Sequence, residues 1–219
     1  MVAAVILSLG PRSAMTSANS REVFEKCKER AGRIDSVLCH LNLRFTQKLQ
    51  IASRSGDEDS LTFVITLRNG KFERRLISGS VPNGERFNAG YDAFDRMFLM
   101  SEYFSDKGKV LSSCESDDPQ GGGSRRIDFA FSDQSDPGDP LSTVSAVVNS
   151  YDYTPISISE RLKGLPLGME FDDHIDVRHD KKTGVYFPSR IVMRIYGKFF
   201  FLHGEIGKVT IQNEGLEKI

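Results

Sequence analysis

The residues best suited to chemistry form one acidic stretch, Asp172 to Asp176, in which carboxylates flank His174. On a β-strand, Asp172, His174 and Asp176 point to one face, and this spacing could hold a cation through oxygen and nitrogen ligands. The same spacing is typical of the solvated face of an antiparallel strand. We favour the solvated face, because Ile175 and Val177 make the opposite face apolar. No metal or other cofactor is predicted.

Two charged residues interrupt apolar strand faces. Asp173 shares a face with Ile175, where it needs an inward arginine as partner unless the register of the strand slips. Arg74 follows a two-residue Asn69-Gly70 turn, the strongest short hairpin signal in the chain. That turn places Arg74 opposite Ile65, on the apolar side of the hairpin.

The sequence contains no motif that predicts catalysis. No G-x-S-x-G element accompanies a Ser-His-Asp set, and Gly121-Gly122-Gly123 lacks the lysine of a phosphate-binding loop. We therefore predict that the protein is not an enzyme. An unrecognised enzyme would need His174 or His203 inside a pocket with polar partners.

Basic residues give no clear nucleic-acid signal. Arg74, Arg75, Arg125 and Arg126 could bind phosphate or carboxylate groups, but we favour a role in balancing the 30 acidic residues. A net charge of -1 argues against general nucleic-acid binding.

Composition indicates one globular domain. The chain has 219 residues, 39% of them hydrophobic and 27% charged, with 15 Phe and no Trp. This is enough to build a large Phe-rich core and excludes wholesale disorder. Three cysteines are too few for a disulfide framework, although one disulfide would be possible in an exported chain, pairing Cys114 with Cys27 or Cys39.

The N-terminus carries a short apolar run, Val2 to Leu9. It is too short to span a bilayer and is similar to the core of a secretory signal, although no basic residue precedes it. Residues 1–18 are therefore predicted to be a signal peptide or a disordered tail. Residues 19–219 are predicted to form a single domain with flexible loops near 112–124 and 132–140.

Hydrophobic periodicity predicts a helix from Asn19 to Leu38, followed by strands that include the hairpin. The apolar segment 91–104 is predicted to be a second helix, and 141–148 and 157–162 short helical turns. The C-terminal third is predicted to be a β-meander. Pro188 indicates an edge strand or a bulge, and Gly204 with Gly207 a second bulge.

These elements predict an α+β fold: a single curved antiparallel β-sheet, or half-open barrel, with helices covering the concave face. About seven to nine strands are expected, and a strongly twisted sheet of that size curls. The Phe/Met stripe around 91–100 would pack into the core or cover an apolar pocket.

Short motifs resemble a known family. Arg33-Ile34-Asp35-Ser36-Val37 leads into Leu43-Arg44-Phe45-Thr46-Gln47-Lys48-Leu49, and Gly184 to Ile191 opens the closing hairpin. These residues, with the order of elements over 20–212, resemble the LolA/LolB-like periplasmic lipoprotein carriers and outer-membrane lipoprotein-sorting proteins. The resemblance implies a half-barrel lined with apolar residues, with an inward arginine near the cavity. We assign that arginine to Arg74.

Two functions remain open. The first is an envelope-associated, periplasmic or otherwise exported carrier that binds a lipid or acyl chain, with a lipid or acylated protein as partner. The second is a non-enzymatic envelope interaction or sensor module with a filled core. No transmembrane span is predicted, and a monomer is expected. The predicted ligand-binding residues are Phe63, Ile65, Leu67, Phe72, Arg74, Leu76, Phe94, Phe98, Met193, Phe200 and Leu202.

Overall fold

The computed structural model describes residues 13–14, 17–80, 95, 97–104, 109–117, 124–132, 141–149, 151–165, 168–199 and 202–219. These residues form one α-helix, α1 (Ser17–His40), a short 3-10 helix (Met100–Phe104) and eleven β-strands. The strands are β1 (Ser13–Ala14), β2 (Leu43–Ser53), β3 (Glu58–Arg68), β4 (Lys71–Ser78), β5 (Lys109–Asp117), β6 (Ser124–Ser132), β7 (Leu141–Asn149), β8 (Pro155–Lys163), β9 (Glu170–Asp180), β10 (Val185–Phe199) and β11 (Leu202–Lys218).

Helix α1 is amphipathic and buries one stripe of side chains. Its outer face carries ion pairs four residues apart, Lys26 with Glu22 and Arg33 with Glu29. The buried stripe has helical spacing and consists of Val23, Phe24, Cys27, Ala31, Ile34 and Leu38. Burial raises the pKa of the Cys27 thiol to about 12. Cys27 and Cys39 are both free thiols.

All the described strands belong to one antiparallel sheet, in the order β1-β5-β6-β7-β8-β9-β10-β11-β2-β3-β4. Neighbours in the sheet are neighbours in the chain except where β1 pairs with β5 and β11 pairs with β2. The order has two ends, so the sheet is open, with β1 and β4 as its edges.

The sheet curls around α1. This helix contacts β3, β5 and β10. A strongly twisted open sheet rarely exceeds about ten strands without curling, and this sheet has eleven. The face of the curled sheet that contacts α1 is the concave one.

One apolar core fills the space between α1 and the sheet. Alternate residues of the strands point inward, as the two-residue period requires. In the central strands Leu49, Ile175, Ile191 and Ile211 are each at most 1% exposed. The antiparallel, curved and open sheet predicted from the sequence is confirmed.

Both predicted bulges are present. Pro188 pairs with Val177 and Arg190 with Asp176, so that Ser189 is the extra residue. Because β10 lies inside the sheet, the bulge accommodates the proline, which cannot donate a backbone hydrogen bond. The second register shift falls between Ile195 and Tyr196 of β10, opposite Gly207 and Glu205. This shift makes Ile206 the extra residue of β11.

Several sequence-based assignments are wrong. The segments expected to be helical turns, 141–148 and 157–162, lie in strands β7 and β8. Val144, Ala146 and Val148 are buried at every second position, which is the period of a strand. Residues 112–117, expected in a loop, belong to β5, and Ser124 and Ser132 are the ends of β6. Residues 118–123 and 133–140 lie outside the description.

The helical prediction is confirmed only in part. Helix α1 is present, and in the segment 91–104 the described residues Asp95 and Met97 are helical and Met100–Phe104 forms a short 3-10 helix. Residues 91–94 and 96 lie outside the description, as do 1–12 and 15–16 of the N-terminal segment. Among the described residues, one α-helix rather than several covers the concave face. The sheet has eleven strands rather than the expected seven to nine, since β7 and β8 are strands where short helical turns are expected.

Candidate functional site

The hairpin of β3 and β4 carries most of the predicted lining residues. Asn69 and Gly70 have φ values of 50° and 73°, as a two-residue turn of this type requires. The register confirms the sequence-based pairing: Leu67 with Phe72, Ile65 with Arg74 and Phe63 with Leu76. Arg74 is therefore on the concave side of an edge strand.

The predicted lining residues differ in how completely they are covered. The buried ones are Phe63, Ile65, Leu67 and Phe98, each at most 3% exposed. The half-buried ones are Phe72, Arg74 and Met193. Leu76 is 40% exposed. Phe94 and Phe200 lie outside the described residues, as does the side chain of Leu202 in β11. Cover over the apolar face thus decreases from β3 to β4.

Residues 97–104, which we name the cover segment, pack against the concave face. Phe98 stacks on Phe45 with 5.2 Å between ring centroids, and it meets Phe72 edge-on at 5.4 Å. Further along, Phe104 contacts Phe24 of α1 at 6.1 Å. The cover segment therefore contacts α1 through Phe104, and it contacts strands β2 and β4 through Phe98.

A buried carboxylate holds the 3-10 helix in place. Asp35 of α1 is 6% exposed and accepts hydrogen bonds from the backbone N–H groups of Met100 at 3.0 Å and Ser101 at 2.7 Å. Burial raises the pKa of Asp35, and hydrogen bonds from the side chain and backbone of Ser101 and from the backbone of Met100 oppose the rise. This role of Asp35 is not among the predictions from the sequence. Its signal is the position of Asp35 in the buried stripe, between Ala31 and Leu38.

Arg74 forms an ion pair with Asp95, two residues before the cover segment. Nη1 of Arg74 donates to Oδ2 of Asp95 at 3.2 Å, and Nη2 contacts Oδ1. The two side chains are 13% and 24% exposed. The guanidinium also lies over the ring of Phe72, 5.9 Å from its centroid. The inward arginine therefore pairs with Asp95 at the β4 edge.

A second polar group lies on the concave wall, at β8 and β9. Asp173 is directly opposite Glu160 in the register. Burial, followed by the charges of Glu160 and Asp172, raises the pKa of Asp173 to about 7. Ser142 donates a hydrogen bond to Glu160. The register of β9 does not slip, so Asp173 faces inward as its position in the sequence predicts. The sequence does not predict that Glu160 belongs to this polar group, or that the charges of Glu160 and Asp173 act on Tyr103.

The residues considered as cation ligands, Asp172, His174 and Asp176, lie on the opposite, outer face of β9. One ring nitrogen of His174 is 2.8 Å from Oγ of Ser159, and the other is 3.1 Å from Oδ1 of Asp176. The side chains of His174 and Asp176 are 43% and 42% exposed. Within the described ranges, no group of three or more His, Cys, Asp or Glu is placed to hold a metal ion.

The arginines considered for anion binding are dispersed. Arg75 is exposed on the convex side of β4, beside a groove of about 520 Å³. Glu73 also lines this groove, so its charge is mixed. The side chains of Arg125 and Arg126 lie outside the description. Among the helices described, none is both long and apolar enough to cross a membrane.

Comparison with known proteins finds a likeness among solved structures. No protein-family model matches the sequence, and no curated protein matches it. Among solved structures, a LolA superfamily protein from Nitrosomonas europaea matches at 12% sequence identity. The match covers 90% of this chain and 92% of that chain, with a TM-score of 0.42. That protein is a member of the superfamily that the sequence motifs resemble.

Proposed function

We propose that this protein is a non-enzymatic, envelope-associated binding protein that holds a lipid or acyl chain against the concave face of its half-barrel. The observation that supports this most directly is the incompletely covered apolar wall at β4. Leu76 is 40% exposed, whereas Phe63, directly opposite in the register, is 3% exposed. The apolar face thus continues beyond the area that α1 and the cover segment shield from water.

A chain entering beside β4 would meet the ring of Phe98, which lies between Phe45 and Phe72. By displacing this ring, the chain would bury the same two surfaces that Phe98 buries now. Each buried methylene contributes about 0.8 kcal/mol, so a chain of about a dozen methylenes would gain several kcal/mol. Movement of the cover segment is therefore part of the proposal.

An exported location and a lipid or acylated protein as partner belong to the same proposal. Both rest on the resemblance of the sequence motifs to the periplasmic carriers. A signal peptide within residues 1–18 is the corresponding expectation for the N-terminus.

Binding of a fluorescent fatty acid tests the proposal with two variants of one strand. Leu76→Lys puts a charge on the uncovered apolar wall, and Ile77→Lys puts the same charge on the opposite face, where Ile77 is 56% exposed. We expect Leu76→Lys to weaken binding about tenfold or more, equal to about 1.4 kcal/mol. Ile77→Lys should bind like the wild type. Failure of the wild type to bind, or equal losses in both variants, contradicts the proposal.

The alternative is an envelope interaction module with a filled core. It is favoured by the complete burial of Ile65, Leu67 and Phe98, since the predicted lining is already packed there. A partner protein would then add to the edge strand β4 through its backbone. Capture of a partner that is unchanged by added fatty acid, and unchanged by Leu76→Lys, would favour this function.

A further inference from the structure

Two carboxylates lie side by side on the inner wall of the half-barrel. Glu160 and Asp173 are cross-strand neighbours in β8 and β9. Two positions along each strand, Ile158 and Ile175 are directly opposite each other and 0% exposed. Because alternate residues of a strand share a face, both carboxylates point to the concave side.

Tyr103 of the cover segment supplies an independent observation. It is 6% exposed, and its hydroxyl is buried without a hydrogen-bond partner in the described part of the chain. Oδ1 of Asp173 is likewise buried and unpartnered there. Burial raises the pKa of Tyr103 well above its usual value, and the charges of Asp173, Glu160 and Glu102 raise it further. The charges of both inner carboxylates therefore act on the phenol of Tyr103.

Buried polar atoms without partners are uncommon and costly, so this site is incomplete as it stands. The charges that shift the pKa of Asp173 are those of Glu160 and Asp172, both acidic. Asp172 belongs to the outer face of β9, because it alternates with Asp173. The inner wall thus presents negative charge and acceptor oxygens to whatever lies between the sheet and Tyr103.

We propose that Glu160, Asp173 and Tyr103 bind a primary ammonium group carried by the ligand of the concave face. An ammonium has three donors and one positive charge, and the site offers a matching set of three acceptors. This inference rests on the proposed function and deepens it. The ligand class is an amine-bearing amphiphile, whose apolar chain lies on the concave wall and whose ammonium group lies between β8, β9 and the cover segment.

Calorimetric titration with three probes of equal chain length tests this: decylammonium, decanol and decanoate. At about pH 8, where Asp173 is mostly ionised, the wild type should bind decylammonium at least about tenfold more tightly than decanol. Decanoate should bind most weakly of the three but still measurably, because its apolar chain lies on the same concave wall. Asp173→Asn and Glu160→Gln should each reduce decylammonium binding to the level of decanol. The matched control is Asp172→Asn, which removes the same charge from the outer face and should retain the preference.

The outcomes separate the two claims. Equal affinity of the wild type for all three probes overturns the ammonium site while the proposed function stands. Equal loss of preference in Asp173→Asn and Asp172→Asn also overturns the site, because the effect would then be nonspecific charge. Binding of none of the probes overturns both. Thermal unfolding checks the variants, and Asp173→Asn should remain folded because it removes a buried charge.

Discussion

The carboxylate of Asp35 on α1 accepts a hydrogen bond from the backbone N–H of Met100, 3.0 Å away, at the start of the 3-10 helix. The same carboxylate accepts from Ser101 at 2.7 Å. A single side chain thus satisfies two N–H groups that a short helix leaves without partners. Because α1 packs inside the curved sheet, this contact fixes the cover segment relative to the concave wall.

Replacing Asp35 should release the cover segment. Asp35→Ala leaves two N–H groups without acceptors, and we expect the free energy of unfolding to fall by about 2 kcal/mol or more. Urea denaturation measures this loss. Ser36→Ala, at the next and exposed position of α1, is the control and should change stability by less than about 0.5 kcal/mol. Similar values for the two variants would show that the contact does not hold the segment.

The ion pair between Arg74 and Asp95 should couple β4 to the residues that lead into the cover segment. A double-mutant cycle with Arg74→Gln and Asp95→Asn should give a coupling energy of about 1–2 kcal/mol, because both side chains are mostly shielded from water. The control cycle uses Lys48 and Glu214, a pair with side chains 47% and 52% exposed. There we expect less than about 0.5 kcal/mol. Equal coupling in the two cycles would argue against a special role for Arg74.

Asp173 should make stability depend on pH. Its folded-state pKa is about 7, whereas an unfolded aspartate titrates near about 3.9. Asp173 therefore stays protonated to higher pH in the folded state than in the unfolded state. The contribution of this difference to folding stability is fully present below about pH 4 and is lost as the pH rises to about 7. Glu160, Asp172, Tyr103 and Glu102 are the ionisable neighbours of this site.

Urea unfolding at about pH 5 and about pH 8 measures this effect, at about 1.4 kcal/mol for each pKa unit. The free energy of unfolding of the wild type should fall by about 2–3 kcal/mol from the lower to the higher pH. This fall should be absent in Asp173→Asn, which has no carboxyl group to titrate at this position. Asp172→Asn, on the outer face, should keep most of the wild-type dependence. A wild-type dependence that survives in Asp173→Asn would assign it to other groups.

Gly79 should tolerate no side chain at the end of β4. Its φ is +94°, and a Cβ there would lie 2.4 Å from the carbonyl oxygen of Ser60 and 2.7 Å from the side chain of Leu61. Gly56 has a similar φ of +89°, but open space surrounds it. Gly56→Ala should cost about 1 kcal/mol from backbone strain alone. Gly79→Ala should cost at least about 1 kcal/mol more, because β4 must shift away from β3. Equal losses in urea denaturation would contradict the close approach.

Local signals predicted part of this fold residue by residue. Asn69 and Gly70 determine the register of β3 with β4, because a two-residue turn leaves only one pairing. Pro188 predicted its bulge, since a proline cannot donate within a ladder. Strand β7 is harder to predict because Ser142, Ser145 and Ala146 have weak strand preference, although its valines favour strands. Its pairing with β6 and β8 is not visible in the local sequence.

The candidate site was predictable to a similar extent. Strand alternation predicts that Arg74 and Asp173 lie on the inner face. It does not predict which residues surround them. The partner of Arg74, Asp95, lies 21 residues further along the chain, and Glu160 lies on the inner wall only because β8 is a strand. Whether apolar residues line a cavity or pack together depends on how tightly the sheet curls, and the hydrophobic pattern does not encode this curvature.

Native mass spectrometry of the protein purified from its host without detergent tests the central claim most directly. The proposed function predicts a species carrying one lipid or acylated molecule, and loss of that species in Leu76→Lys but not in Ile77→Lys. A protein that is always free of apolar ligand, and that takes up no added fatty acid, would contradict the account.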